Sequence, residues 1–321
     1  MEKMKKFIVS AVKALALPVI VYAIFKIIQP KNFGSLEALY IIAQQAMMVT
    51  IMAFGMCCNM TIGIWDFSPG SIVTFVGLIC GYYCNQYGFA AMVAAGIISG
   101  IVLGLINAAA YTILKVPSVV VTVGLLLIYE SVASVYKGGL GVSIAKENAV
   151  LGQAPWIFLV TLVMFVILYV LYNKTKLGFN VKAVGSNELI AKTAGINPRK
   201  VKFWSFFIAG VFFGIAGLIN LSYGTALSPA KNMGTMSVTF DAMMSGFIAI
   251  YLSGVVNRVV GIMIGTFTMK LIAAGLVAIG VDGTWQKVIV GVFLLFFIGF
   301  TQIKAQFNEW SARLKRAKMA S

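Results

Sequence analysis

The chain has 321 residues, 60% of them hydrophobic and only 11% charged, with a formal net charge of +16. A soluble domain carries about 25% charged residues, so this composition argues against a soluble fold and for a bilayer as the solvent of the apolar surface. The basic residues lie between apolar blocks and not on one soluble segment, which argues against a nucleic-acid-binding domain and fits basic loops beside a membrane.

The apolar blocks run for roughly 18 to 25 residues, the length that crosses about 30 Å of hydrocarbon as helix. In lipid each segment must satisfy its own backbone, so the blocks are read as helices. They lack the apolar/polar alternation of a β-barrel. The predicted spans are 7–28, 40–63, 70–88, 89–114, 117–135, 156–173, 202–223, 238–256, 259–280 and 284–302. The expected fold is therefore all-α: a polytopic transmembrane bundle of about ten spans, with residues 1–321 forming one transmembrane domain. The first block, Phe7 to Ile28, follows a basic start that also suits a signal peptide. Lys13 interrupts its apolar run, however, and no small-x-small cleavage site precedes Lys26, so an uncleaved first span is expected.

Sidedness follows from the 25 Lys and Arg residues. With the N-terminus inside, only Lys31, Lys137, Lys146 and Lys231 fall in outer loops, and Lys13, Lys26, Lys270 and Lys287 fall within spans. The other 17 lie on the inner side, which places both termini in the cytoplasm.

The largest inner segment is the basic loop 173–202. Ser186 or Asn187 can cap a short helix there, and Glu188 then sits in the first turn, where the helix dipole favours negative charge. Gly195 can adopt the left-handed C′ conformation, and Pro198 prevents continuation. The predicted helix, Glu188 to Ala194, is too short to persist alone in water, so it needs a surface to pack against: its own bundle or a partner.

The chain contains no histidine. That excludes a Cys/His zinc site and any triad that uses histidine. Cys57, Cys58, Cys80 and Cys84 read as small packing residues. Gly100 and Gly104, Gly210 and Gly214, and Gly261 and Gly265 form small-xxx-small pairs that let helices approach closely. Polar residues inside spans are costly and usually face a cavity or a partner. The candidates are Asn59, Asp66, Ser68, Asn107, Thr122, Asn220, Asp241 and Lys270. Glu130 and Asp241 sit near span ends and are expected to reach the external interface. Lys270 lies mid-span with no route to snorkel; pairing with an acid inside the bundle is one reading of it.

Several segments together resemble one family. Gly185-Ser186-Asn187-Glu188, Ala191, Ala194-Gly195-Ile196-Asn197 and Val201-Lys202 are similar to the cytoplasmic loop of ribose/xylose/galactose-type permeases of ABC importers. Asp66-Phe67-Ser68-Pro69-Gly70-Ser71 resembles the family's stretch after the second span, and Leu105-Ile106-Asn107, Val116-Pro117, Val121-Thr122-Val123-Gly124, Phe240-Asp241-Ala242 and Trp285-Gln286 follow in the same order. Two departures are Trp65 beside Asp66, where the family has Gly-Gly-Ile-Asp, and Phe247 to Gly254, where it has an Ile-Gly-Gly type stretch.

The resemblance implies a type II-importer-like permease in the plasma membrane of a prokaryote. The nine residues from Gly185 to Asn197 named above would form a coupling helix that docks into a groove of the ATPase subunit. The chain has no GxxxxGK[ST] loop, so it is expected to bind no cofactor itself, with ATP and Mg on that separate ATPase. An extracytoplasmic solute-binding protein and a second permease, a copy or a paralogue, would complete the assembly around a sugar or sugar-like solute. A permease for branched-chain amino acids or nucleosides is the nearest alternative. An ion-coupled secondary transporter would need an ion site, for which Glu130 alone is little evidence. A membrane enzyme would need clustered catalytic groups, and the sequence displays none.

Overall fold

The computed structural model describes residues 2–286 and, beyond them, 288, 289, 291, 292, 295 and 299; residues 2–11 are described by backbone alone. The helices are α1 (Glu2–Ile28), α2 (Leu36–Ile62), α3 (Pro69–Tyr87), α4 (Phe89–Leu114), α5 (Ser118–Val135), α6 (Trp156–Lys174), α7 (Lys176–Ser186), α8 (Glu188–Thr193), α9 (Pro198–Gly224), α10 (Met236–Leu252) and α11 (Arg258–Ala278). They occupy the first nine predicted spans. Most of the tenth, with Lys287 and the basic C-terminal residues, lies outside the described residues. Six of the helices (α2, α4, α5, α6, α9 and α11) are long and apolar enough to cross a membrane. The fold is an all-α polytopic bundle. Among the described residues the one unpredicted β feature is a two-residue ladder, β1 (Val142–Ser143) antiparallel to β2 (Ala226–Leu227), which ties the α5–α6 connector to the α9–α10 connector.

α2 and α9, each 27 residues, carry the most deeply buried faces, and the outward faces of α4 and α6 are largely exposed and apolar. Hydrophobic attraction cannot drive helices together in lipid, so close packing and polar contacts must do so. Glycine supplies the packing. The two pairs Gly100/Gly104 and Gly210/Gly214, on α4 and α9, face each other: a Cβ at Gly100 would lie 2.6 Å from the Gly214 Cα. The third pair, Gly261/Gly265, seats α11 on α10, with Ala249 and Ser245 opposite.

The connectors sort into two groups by contact. At one end, Arg258 Nη1 donates to Thr61 Oγ1 (2.6 Å), Asn257 Nδ2 donates to Asn173 Oδ1 (2.9 Å), and Lys202 pairs with Glu188 (2.8 Å). At the other, Asn85 Nδ2 donates to the Ser143 carbonyl (2.9 Å) and β1 meets β2. These are the groupings that charge counting produced. Lys26, placed within a span, closes the C-terminal end of α1 by donating to the carbonyls of Pro30 (2.9 Å) and Phe33 (2.8 Å).

The α4–α9 contact yields a direct test. Gly210→Ala drives a methyl into α4 backbone and is expected to destabilise the purified permease by about 1–3 kcal/mol. Gly124→Ala, where a Cβ meets nothing within 4 Å, should leave the detergent melting temperature unchanged. Equal melting of the two variants would refute the packing.

Candidate functional site

Two regions collect the predicted polar residues, one inside the bundle and one at the end that carries the 173–202 segment. The first begins where α2 stops. Gly63, at φ 78°, ends that helix, and the chain runs back into the bundle before α3 starts at Pro69. A non-helical segment buried there must find partners for its backbone. Ile64 N–H donates to the Asn59 carbonyl (2.9 Å), Trp65 N–H to Ser118 Oγ (3.1 Å), Phe67 N–H to Thr122 Oγ1 (3.1 Å) and Ser68 N–H to Asp66 Oδ1 (3.0 Å). Gly70 N–H, in the first turn of α3, donates to Thr239 Oγ1 of α10 (2.9 Å).

Asp66 is at the centre. Its Oδ1 also accepts from Ser68 Oγ (2.6 Å), and its Oδ2 from Asn59 Nδ2 (3.4 Å). Ser68 Oγ in turn accepts from Asn107 Nδ2 (2.7 Å), whose Oδ1 accepts from the Tyr129 hydroxyl (2.7 Å). One chain of hydrogen bonds therefore joins α2, the connector, α4 and α5, and all its members are buried. It brings together Asn59, Asp66, Ser68 and Asn107, with Thr122 beside them. The sequence reading missed Tyr129, Ser118 and Thr239; a hydroxyl in the apolar run of α5 was the available signal for Tyr129. With these bonds made, the unusual Trp65 and the next aromatic, Phe67, project against α10, 5.6 Å from Phe247 and 6.1 Å from Phe240 between ring centroids.

Glu130 and Asp241 both find partners within the protein. Glu130 is only 5% exposed. Its carboxylate accepts from Met233 N–H (2.9 Å), Thr235 N–H (2.9 Å) and Thr235 Oγ1 (2.6 Å), and so holds the start of α10. Satisfying N–H groups at a helix start, where the dipole is positive, is a strong use of a buried carboxylate. Asp241 pairs with Lys270 of α11 at 2.9 Å, both half-buried, which settles the partner of that mid-span lysine. The pair borders a cavity of about 900 Å³ between α10, α11 and residues near Gln286, with Asn232, Ser237 and Phe240 also on its wall. Asn220 is not part of either cluster.

The second region is an elbow of two short helices. α7 was read as loop, and the correction has a physical basis. Thr175 Oγ1 accepts from Gly178 N–H (3.3 Å), and the spacing of Leu177, Val181 and Val184 turns an apolar edge to the bundle. Gly185 rests on the Thr61 carbonyl, where no side chain fits. Ser186 ends α7, and Asn187 is the residue that caps α8, its Oδ1 accepting from Ile190 N–H (3.0 Å).

Glu188 ties α8 to α9 through Lys202, Ala191 is buried, and Ala194 follows the last turn. Gly195 is left-handed at φ 81°, and Ile196 N–H returns to the Ala191 carbonyl (3.0 Å). Asn197 then caps α9 by accepting from Arg199 and Lys200 N–H (3.1 and 3.3 Å), so Pro198 opens α9 four residues before the predicted span. Leu189 and Ile190, unremarked in the sequence, stand 76% and 66% exposed on α8.

The buried chain predicts an order of damage. Asn107→Leu strips partners from both Ser68 and Tyr129, and should cost about 1–3 kcal/mol. Tyr129→Phe removes one terminal hydroxyl and should cost about 0.5–1.5 kcal/mol. Thermal unfolding in detergent should rank wild type above Tyr129→Phe and that above Asn107→Leu; the reverse order would contradict the network.

Residues 38–298 match the family described as "Branched-chain amino acid transport system / permease component". The chain is 26% identical over 298 residues to the ribose import permease protein of Escherichia coli K12, covering 89% of this chain and 92% of that one. It is 26% identical to the fructose import permease protein of Rhizobium meliloti, over 94% and 88% of the two chains. It is 29% identical to the galactose/methyl galactoside import permease protein of E. coli K12, over 63% of each. No solved structure matches the chain. With 261 residues of continuous match to its pattern, positions 38 to 298, the chain belongs to this family of ABC-importer permease components.

Proposed function

We propose that this chain is the membrane-spanning subunit of an ABC importer for a sugar or sugar-like solute, working with a separate ATPase that holds ATP and Mg. The observation that carries the coupling reading is the elbow. α8 is fixed at both ends by Asn187 and Gly195 and clamped to α9 by Glu188–Lys202, yet it presents Leu189 and Ile190 to solvent. Two exposed aliphatic side chains on a pinned, water-facing helix suit insertion into a groove of a partner. On this reading the coupling residues are Gly185, Ser186, Asn187, Glu188, Ala191, Ala194, Gly195, Ile196 and Asn197, with Leu189 and Ile190 as the contact.

A solute-binding protein would deliver the substrate from outside, and a second permease, a copy or a paralogue, would complete the pathway. Both termini would then be cytoplasmic and the membrane a prokaryotic plasma membrane. ATP binding would close the ATPase dimer, and α8 would move with it to switch access between the two sides.

The sugar class rests on the named relatives, which import ribose, fructose and galactose. A second reading, a branched-chain amino acid, is favoured by the family description and by the Asp241–Lys270 pair beside the cavity of about 900 Å³, since such a pair offers both charges to a zwitterion. A ligand screen on the co-purified binding protein separates the two.

The coupling role has its own test. Leu189→Asp/Ile190→Asp should lower substrate-stimulated ATPase of the reconstituted transporter by about tenfold or more, as expected when a central contact worth at least about 1.4 kcal/mol is lost. The permease itself should still elute and melt normally, because neither side chain is packed in the bundle. Normal stimulation in this variant would reject the coupling assignment.

A further inference from the structure

The inner end of the bundle carries a second feature that coupling does not use. Arg258, the first residue of α11, lays its guanidinium against the last turn of α2, with Nη1 donating to Thr61 Oγ1 at 2.6 Å. Thr61 Oγ1 also meets the Tyr172 hydroxyl at 3.2 Å, and Lys182 Nζ lies 4.3 Å from the centre of the Tyr172 ring. Lys182 Nζ donates to Asn173 Oδ1 (3.2 Å), which also accepts from Asn257 Nδ2 (2.9 Å). Two cations from α7 and α11 therefore converge on one Thr–Tyr pair, with two amides at the edge.

Their charge is not balanced. Among the described residues neither cation pairs with a carboxylate, and Glu188 is taken by Lys202. Arg258 Nε is buried with no hydrogen-bond partner. Partial desolvation, with the Arg258 charge acting in the same direction, lowers the Lys182 ammonium from its ordinary value. The C-terminal end of α2 supplies at most about half a negative charge, well short of two positive ones. Two adjacent cations without a carboxylate cost free energy, and an anion at their solvent-facing edge, where Lys182 is exposed, lowers that cost.

The surroundings select the kind of anion. α6 turns an apolar face outward, with Leu162, Val163 and Val166 about half exposed. α7 leaves its end carrying Lys174 and Lys176, and Phe179, three residues before Lys182, is 69% exposed. A basic surface helix with an exposed aromatic, beside a lipid-facing span, is built for the headgroup layer. We propose that Arg258 and Lys182, edged by Asn173, form a binding site for the phosphate of an anionic phospholipid in the leaflet on the α7 side.

Native mass spectrometry of the full chain, given phosphatidylglycerol and phosphatidylcholine of matched acyl chains, tests this. Phosphatidylglycerol should be retained in preference. Lys182→Gln and Arg258→Gln should each weaken its retention about fivefold, multiplying when combined. Arg258→Lys should keep most of it, which separates lost charge from lost folding, and Lys146→Gln on the opposite end should change nothing. Equal retention of the two lipids, or a double variant that holds phosphatidylglycerol as wild type does, would overturn the proposal. Saturable binding of inorganic phosphate without any phosphatidylglycerol preference would also overturn it, by assigning the cluster to a soluble anion.

Discussion

A backbone that leaves the helix inside an apolar bundle must have its polar groups met, and the segment between Gly63 and Ser68 shows how this protein does so. Without partners, each orphaned N–H there would cost on the order of 1–3 kcal/mol. Asp66, Ser118, Thr122 and the Asn59 carbonyl supply them. Once that segment is fixed, the start of α3 is fixed against Thr239 of α10, Trp65 and Phe67 are aimed at α10, and Asn107 and Tyr129 draw α4 and α5 to the same point. Glu130 performs the matching task for the start of α10. Two interior helix starts, each held by a carboxylate and hydroxyls, are the kind of broken-helix construction that membrane transporters place near their pathways.

The same segment is mechanically close to the elbow. Thr61 lies on the last turn of α2, two residues before Gly63, and its carbonyl supports Gly185 at the end of α7. On the proposed reading, a displacement of α8 by an ATPase reaches α2 through a backbone contact that has no side chain to cushion it. Arg258 donates to that same Thr61 through Oγ1, which the Tyr172 hydroxyl also meets. On the same reading, Leu189 and Ile190 would face the motor and Phe179 the lipid headgroups; all three side chains are exposed.

Much of this was legible in the residues, where the governing chemistry is local. Asn187, Gly195 and the α8 boundaries follow from capping and left-handed glycine, which need only a few neighbouring residues. The three glycine pairs were legible as packing faces, but their partners were not, because a small-xxx-small pair marks a face and not what covers it. α7 was missed because Leu177, Val181 and Val184 are set among lysines and glycines that dilute the periodicity. Asp66, Ser68 and Asn107 stood out as costly in a membrane, yet their union spans 39 residues of sequence between Ser68 and Asn107 and needed three dimensions. The partners of Glu130 were out of reach of the sequence for the same reason: they lie more than 100 residues away. Pairing with an acid was one reading of Lys270, and only the fold could choose Asp241.

The most direct test of the account is where the elbow touches its motor. A photo-reactive phenylalanine placed at Leu189 in the assembled transporter should cross-link to the ATPase subunit, and the same probe at Lys146 should not. Failure of the Leu189 probe to reach any ATPase in an assembly that imports its solute, or equal cross-linking from Lys146, would contradict the placement of α8 as the contact through which ATP drives this permease.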